Sequence, residues 1–142
     1  MNSKLNLYLA NLAVWTAKLH NIHWNVEGLA FVQVHQFTEK LYEETFEQYD
    51  AVAEVQKMQK AMPLVRLSEF LNIATIKECD AKAFSIEEAL KLVKSDMELM
   101  SSLAKEIRDE ADSKGDFQVV AMFEGYLEGY AKNLWFLDAM CK

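Results

Sequence analysis

The chain has 142 residues, a length typical of one compact domain, which argues against a two-domain enzyme or a repeat array. Hydrophobic residues make up 51% of the sequence and charged residues 26%, so a core can form and a disordered chain is excluded. The net charge of -7 disfavours nonspecific binding to nucleic acid or to an anionic membrane, and it favours cations as small partners. One proline and four glycines leave few places to turn, so we expect long helices.

Two further features bear on location. The sequence has no apolar stretch long enough to span a membrane and no signal-peptide pattern at its start, so we expect a cytoplasmic protein. Cys79 and Cys141 lie far apart and form no CxxC pair. We therefore expect reduced, incidental thiols rather than a disulfide framework or a thiolate zinc site.

The first half of the chain predicts two amphipathic helices. Apolar residues recur at three- and four-residue steps from Lys4 to about Val26, and Ser3 is available as the N-cap. Glu27-Gly28 interrupts this pattern. A second helix is then predicted from about Ala30 to Met62, where Pro63 stops it.

The second half predicts a long connection followed by two more helices. From Pro63 to Phe84 the periodicity weakens, and only Leu67 to Ile73 suggests a short helix. Ser85 to Glu88 form a capping box that begins a third long helix. Lys114 to Asp116 close that helix, and Asp116 is the expected N-cap of the last one. Four long helices with one long crossover predict an all-α fold, a ferritin-like four-helix bundle in a single domain over residues 1–142, without a β-alternating segment.

Potential metal ligands share one face of the second helix. At about 100° per residue, His35, Glu39, Asp50 and Glu54 project within a sector roughly 100° wide. Phe46 lies in the same sector, which indicates that something covers this face rather than solvent alone. The stripe expected to face the bundle core lies on another side of the helix and consists of Val34, Phe37, Leu41, Val52 and Val55.

The two ends of this ligand face are too far apart to hold one metal ion. A rise of about 1.5 Å per residue separates Glu39 from Asp50 by roughly 16 Å along the helix axis. If a second copy packs antiparallel across a two-fold axis, the His35/Glu39 end of one helix meets the Asp50/Glu54 end of the other, and two equivalent sites form. The sequence therefore predicts a metal site shared between two subunits.

The first helix adds one more candidate ligand. His23 lies inside its leucine stripe and His20 at the edge of that stripe, so His23 is better placed to point inward. Taken singly, a core histidine is most often hydrogen-bonded and a carboxylate pair on a long helix is most often solvated. Two imidazoles and three carboxylates together suit iron, manganese or zinc, with iron favoured if positions stay open for an oxidant. The Glu-x-x-His pairs of an ordinary ferritin-like di-metal centre are absent.

The segment from His20 to Gly28, followed by His35, Glu39, Asp50 and Glu54, resembles the Dps family of mini-ferritins, and the resemblance covers nearly the whole chain. It implies a hollow dodecamer that oxidises Fe(II) with hydrogen peroxide at an inter-subunit ferroxidase centre. The shell would store the ferric iron and thereby protect against oxidative stress. The implied ligands, which are also the catalytic residues of the ferroxidase, are His23, His35 and Glu39 from one subunit and Asp50 and Glu54 from the other.

Several positions bear on how far this resemblance extends. Glu39 stands where the family commonly has Asp, and Trp24 matches an aromatic residue beside the centre that intercepts radicals. Lys60-Ala61-Met62-Pro63 replaces a common Gly-Gly pair, so we expect a turn of different shape there. Asp112 and Asp116 resemble acids of iron-entry pores.

Two alternative functions stay open. One is a nucleoid-associated, DNA-binding assembly, although the chain has only Lys4 and Lys142 where some relatives have a lysine-rich tail. The other is a non-enzymatic bundle whose interface site holds zinc structurally, and zinc would also compete with iron at a ferroxidase centre.

Overall fold

The computed structural model describes residues 1–142 as five helices and one pair of short strands. The elements in chain order are α1 (Asn2–Asn25), β1 (Val26–Glu27), α2 (Phe31–Met58), α3 (Leu67–Ile73), β2 (Phe84–Ser85), α4 (Ile86–Ser113) and α5 (Phe117–Met140). The four long helices form the predicted bundle, and α3 lies in the crossover between α2 and α4. The all-α, ferritin-like fold class is confirmed. No helix combines the length and the apolar character that crossing a membrane requires.

The core of the bundle lies between α1, α2, α4 and α5 and contains 31 buried hydrophobic residues. All five residues of the predicted core stripe on α2 are among them. One buried ion pair crosses this core, because the ammonium of Lys18 on α1 lies 2.8 Å from the carboxylate of Asp96 on α4. Burial raises the pKa of Asp96, and the hydrogen bond from Lys18 opposes that rise.

Two predicted helix starts are confirmed by their capping bonds. The hydroxyl of Ser85 accepts from the backbone N–H of Glu88, and the Glu88 side chain accepts from the backbone N–H of Ser85, which completes the capping box. Asp116 caps α5 by accepting from the backbone N–H of Val119. The N-cap of α1 was wrongly predicted as Ser3, since the helix already begins at Asn2 and Met1 precedes it without a side-chain cap.

The predicted end of α2 is also wrong, because the helix stops at Met58 rather than Met62. Lys60 adopts a left-handed conformation with φ 64°. The N–H of Lys60 donates to the carbonyl oxygen of Lys57, and the N–H of Ala61 donates to that of Gln56. This is the Schellman pattern that ends many helices, here with lysine at the position where glycine is usual.

The two short strands were not predicted from the sequence. β1 and β2 pair in parallel, with Val26 opposite Phe84 and Glu27 opposite Ser85. Through this pairing, the residues that follow α1 are hydrogen-bonded to the residues that precede α4. Gly28 follows β1 with φ 140°, and a Cβ at this position would lie 2.7 Å from the side chain of Ile86. The turn between α1 and α2 therefore requires glycine.

Candidate metal centre

The turn between α1 and α2 brings two histidines into direct contact. His23 lies in the last turn of α1 and is buried, whereas His35 lies near the start of α2 and is half-buried. Their rings stack with centroids 3.6 Å apart and planes inclined by 15°. Residues twelve positions apart thus form one pair of parallel imidazoles.

Crossed hydrogen bonds hold the two rings. The Nδ1–H of His23 donates to the carbonyl oxygen of His35 over 2.7 Å, and the Nδ1–H of His35 donates to the carbonyl oxygen of His23 over 2.8 Å. A carbonyl oxygen can only accept, so the hydrogen-bond network assigns the hydrogen to Nδ1 in both rings. In the neutral form of such a ring Nε2 carries the free lone pair, which is the form in which histidine binds a metal ion.

Glu39 completes a three-residue cluster with the two histidines. One ligand atom from each of His23, His35 and Glu39 lies within 4.8 Å of the others. The Nε2 of His23 lies 4.0 Å from a carboxylate oxygen of Glu39. Burial lowers the pKa of His23 and so favours the neutral ring. The hydrogen bond to the His35 carbonyl opposes this shift but is the smaller contribution. A neutral imidazole lone pair then faces an anionic oxygen, and a cation between them would stabilise both.

The other two predicted ligands lie elsewhere on the same helix. Asp50 and Glu54 are both exposed on α2, and they are not part of the cluster that contains Glu39. This separation agrees with the helical rise of about 1.5 Å per residue, which puts them at least three turns away. Within one subunit the structure therefore brings together three of the five predicted ligands, and the sharing of a site between subunits stays a prediction.

Exposed apolar side chains lie near the cluster in the sequence, and one of them, Phe31, stacks on His35 with ring centroids 5.0 Å apart. Trp24 is 67% exposed and Phe46 is 69% exposed, although both are large aromatic residues. Further exposed apolar residues lie in the turn and in the first turn of α2. They are Leu29, Phe31 and Val32.

Sequence reasoning missed two neighbours of His23, namely Thr38 and Tyr42. The hydroxyl oxygen of Thr38 lies 3.1 Å from Nδ1 of His23, and the Tyr42 ring meets the His23 ring edge-on at 5.2 Å. Tyr42 also stacks on His20 at 3.9 Å. Thr38 and Tyr42 follow His35 by three and seven positions, so helical spacing could have placed both near the ligand face.

Comparisons with known proteins show the family to which the chain belongs. The model of the ferritin-like domain matches residues 2–142. The DNA protection during starvation protein of Brevibacillus brevis is 34% identical over 135 residues, which cover 95% of this chain and 90% of that protein. The protein of the same name from Helicobacter pylori strain J99 is 32% identical over 130 residues, 92% of this chain and 90% of that one.

The chain belongs to the Dps family of ferritin-like proteins. The crystal structure of a Dps protein from Bacillus brevis superposes with a TM-score of 0.94 at 33% identity and covers 99% of this chain and 94% of that one. A Dps protein from Vibrio cholerae O1, described as a member of a broad superfamily of ferritin-like diiron-carboxylate proteins, has a TM-score of 0.93 at 26% identity, over 99% and 88% of the two chains. The predicted family is confirmed, and membership of this superfamily implies iron binding.

Asp112 and Asp116, the two acids that resemble Dps pore residues, both make polar contacts within the subunit. The carboxylate of Asp112 lies 3.6 Å from the guanidinium of Arg108. Asp116 caps α5 and also accepts a hydrogen bond of 2.9 Å from Gln59. Their predicted role in pores stays a prediction.

Proposed function

We propose that this Dps protein binds Fe(II) between two subunits, oxidises it with hydrogen peroxide and stores the ferric product in a dodecameric shell. His23, His35 and Glu39 of one subunit and Asp50 and Glu54 of a second subunit are the proposed ligands. The observation that carries this proposal is the cluster of His23, His35 and Glu39, in which Nε2 of His23 lies 4.0 Å from the Glu39 carboxylate.

The donor set suits the proposed reaction. Neutral imidazoles bind Fe(II) without adding charge, and carboxylate oxygens stabilise the higher charge of Fe(III). Two Fe(II) ions each give one electron to one hydrogen peroxide molecule, whose O–O bond breaks to yield two hydroxide ions or, with protons, water. A peroxide molecule that takes up both electrons releases no hydroxyl radical, which a one-electron reduction would release. Iron and peroxide are thereby consumed in the same reaction, which is the proposed basis of protection.

The exposed apolar side chains beside the cluster support a site that a second copy covers. Trp24 follows His23 in the chain and Phe46 lies two helical turns after Glu39 on α2, and burying them would exclude water from the bound ion. An antiparallel pair of α2 helices would bring Asp50 and Glu54 of the second subunit to this cluster. We also propose that the assembly lies in the cytoplasm, where Cys79 and Cys141, which form no disulfide with each other, would stay reduced.

Peroxide-driven Fe(II) oxidation under anaerobic conditions tests the proposal. The native protein is compared with His35→Ala and Asp50→Ala, and Glu98→Ala serves as the control because it removes an exposed carboxylate of α4. All variants are first shown to assemble. We expect the rate to fall by more than about tenfold in both ligand variants and to stay unchanged in the control. Equal rates in all four proteins would refute the assigned centre.

Two further measurements distinguish the alternatives. Metal analysis of protein purified without added metal would reveal tightly held zinc, and absence of turnover in that protein would favour a structural zinc site. A gel shift that weakens with salt would indicate DNA binding. With a net charge of -7, we expect no such shift.

A further inference from the structure

We propose that Thr38 is a positioning residue, which fixes the ring orientation and the tautomer of His23 for metal binding. The proposal rests on the metal centre described above, because His23 is one of its ligands. Thr38 is three residues after His35 on α2, and its side chain is fully buried between α1 and α2 beside His23.

The hydroxyl of Thr38 has a defined role as an acceptor towards His23. Its one hydrogen donates along α2, to the carbonyl oxygen of Val34 at 2.8 Å or to that of His35 at 3.1 Å. An oxygen lone pair therefore remains for the Nδ1–H of His23, which lies 3.1 Å away. This hydrogen is shared between the Thr38 hydroxyl and the His35 carbonyl oxygen, which is 2.7 Å from the same nitrogen.

Two acceptors at Nδ1 favour one tautomer of His23. With the hydrogen on Nε2 instead, the Nδ1 lone pair would face the carbonyl oxygen of His35, and Nε2 could no longer bind a cation beside Glu39. Hydrogen bonds of this kind orient metal-binding histidines and make the other ring nitrogen a stronger ligand. Losing one such bond typically lowers metal affinity about 10- to 100-fold. The His35 carbonyl remains when Thr38 is changed, so we expect the lower end of this range.

Substitutions at Thr38 separate this role from simple packing. Thr38→Val keeps the branched shape and removes the hydroxyl, whereas Thr38→Ser keeps the hydroxyl. Thr38→Ala is a second variant without the hydroxyl in case valine disturbs the core. The matched control is Thr45→Val, because Thr45 is also buried on α2 and donates to a helix carbonyl, that of Tyr42 at 2.8 Å, but has no bond to a histidine.

The test uses the assembled full chain and two readouts. Co(II) is the metal probe, and its visible absorption reports both its affinity and its nitrogen and oxygen ligands. Solid-state ¹⁵N NMR of histidine-labelled, metal-free protein reports the tautomer of each ring and does not depend on any ferroxidase activity. We expect Thr38→Val and Thr38→Ala to weaken Co(II) binding about tenfold and to add the Nε2–H form of His23. Thr38→Ser and Thr45→Val should behave as the native protein.

Two outcomes would overturn the role of Thr38. One is native affinity together with an unchanged His23 tautomer in Thr38→Val and Thr38→Ala. The other is an equal loss in Thr45→Val, which would show that general packing of α2 is responsible. Failure of the metal centre itself has a different signature, because His23→Ala would then bind Co(II) as tightly as the native protein. The tautomer comparison would still decide the role of Thr38 in that case.

Discussion

A subunit that lacks His35 and a subunit that lacks Asp50 should restore activity to each other when they assemble together. The reason is the geometry of α2, where Glu39 and Asp50 are about 16 Å apart along the helix axis, given a rise of about 1.5 Å per residue. The structure accordingly places His23, His35 and Glu39 in one cluster without Asp50. Each proposed site then needs one intact half from each of two subunits.

The size of the recovery follows from counting sites. Consider a pair of one His35→Ala subunit and one Asp50→Ala subunit. One of its two sites takes His35 from the Asp50→Ala subunit and Asp50 from the His35→Ala subunit, so that site is intact. The other site of that pair lacks both residues. Random assembly of equal amounts makes half of the pairs mixed, so about one quarter of all sites should be intact.

The assay is the initial rate of peroxide-driven Fe(II) oxidation after the two variants are co-expressed with different tags and purified through both. Co-assembled protein should reach about one quarter of the native rate both before and after this selection, because nearly every dodecamer assembled at random contains both variants. The same variants mixed only after separate assembly are the control and should stay inactive. A co-assembled protein no more active than this control would refute a site divided between subunits.

Three further predictions concern the subunit itself. Lys18→Met should lower the free energy of unfolding in urea by about 3–5 kcal/mol, because it leaves the buried Asp96 carboxylate without its partner. Gly28→Ala should lower it by about 1–3 kcal/mol, because φ is 140° and the added Cβ would lie 2.7 Å from Ile86. Burial lowers the pKa of His23, so the unfolded chain binds more protons and stability should fall as pH drops below about 6.5. His23→Gln should remove this part of the pH dependence in metal-free protein.

Each of these predictions has a matched comparison. Lys94→Met breaks an ion pair of the same 2.8 Å length with a partly exposed partner, Asp138, so its effect should be much smaller than that of Lys18→Met. Gly125→Ala adds a Cβ into open space on α5 and should not destabilise the protein. Similar losses within either pair would contradict the reasoning from burial and backbone conformation. Identical pH profiles of the native protein and His23→Gln between about pH 5 and 7 would contradict the assigned cause.

The fold was predictable from the sequence because its main signals are local. Helical spacing identified the buried stripe of α2, and the capping residues Ser85, Glu88 and Asp116 marked two helix starts that the structure confirms. The errors arose where local signals were absent. Lys60 ends α2 in a left-handed conformation that usually calls for glycine, and the β1–β2 pair is too short for any alternation to show.

The clustering of three of the five predicted ligands was predictable from the sequence, but the hydrogen bonds that hold their rings were not. Helical angles place His35 and Glu39 on one face and His23 on the inward side of α1, and the structure brings all three together. The two histidine rings are held by the crossed pair of Nδ1–H bonds to backbone carbonyl oxygens, and no spacing rule encodes those bonds. They exist because the turn at Gly28 returns α2 alongside the end of α1, next to the β1–β2 pair that joins this turn to the residues before α4. The orientation of both rings in the candidate centre is thus set by tertiary structure, and at the proposed site the glycine that allows the turn would contribute to metal binding without touching the metal.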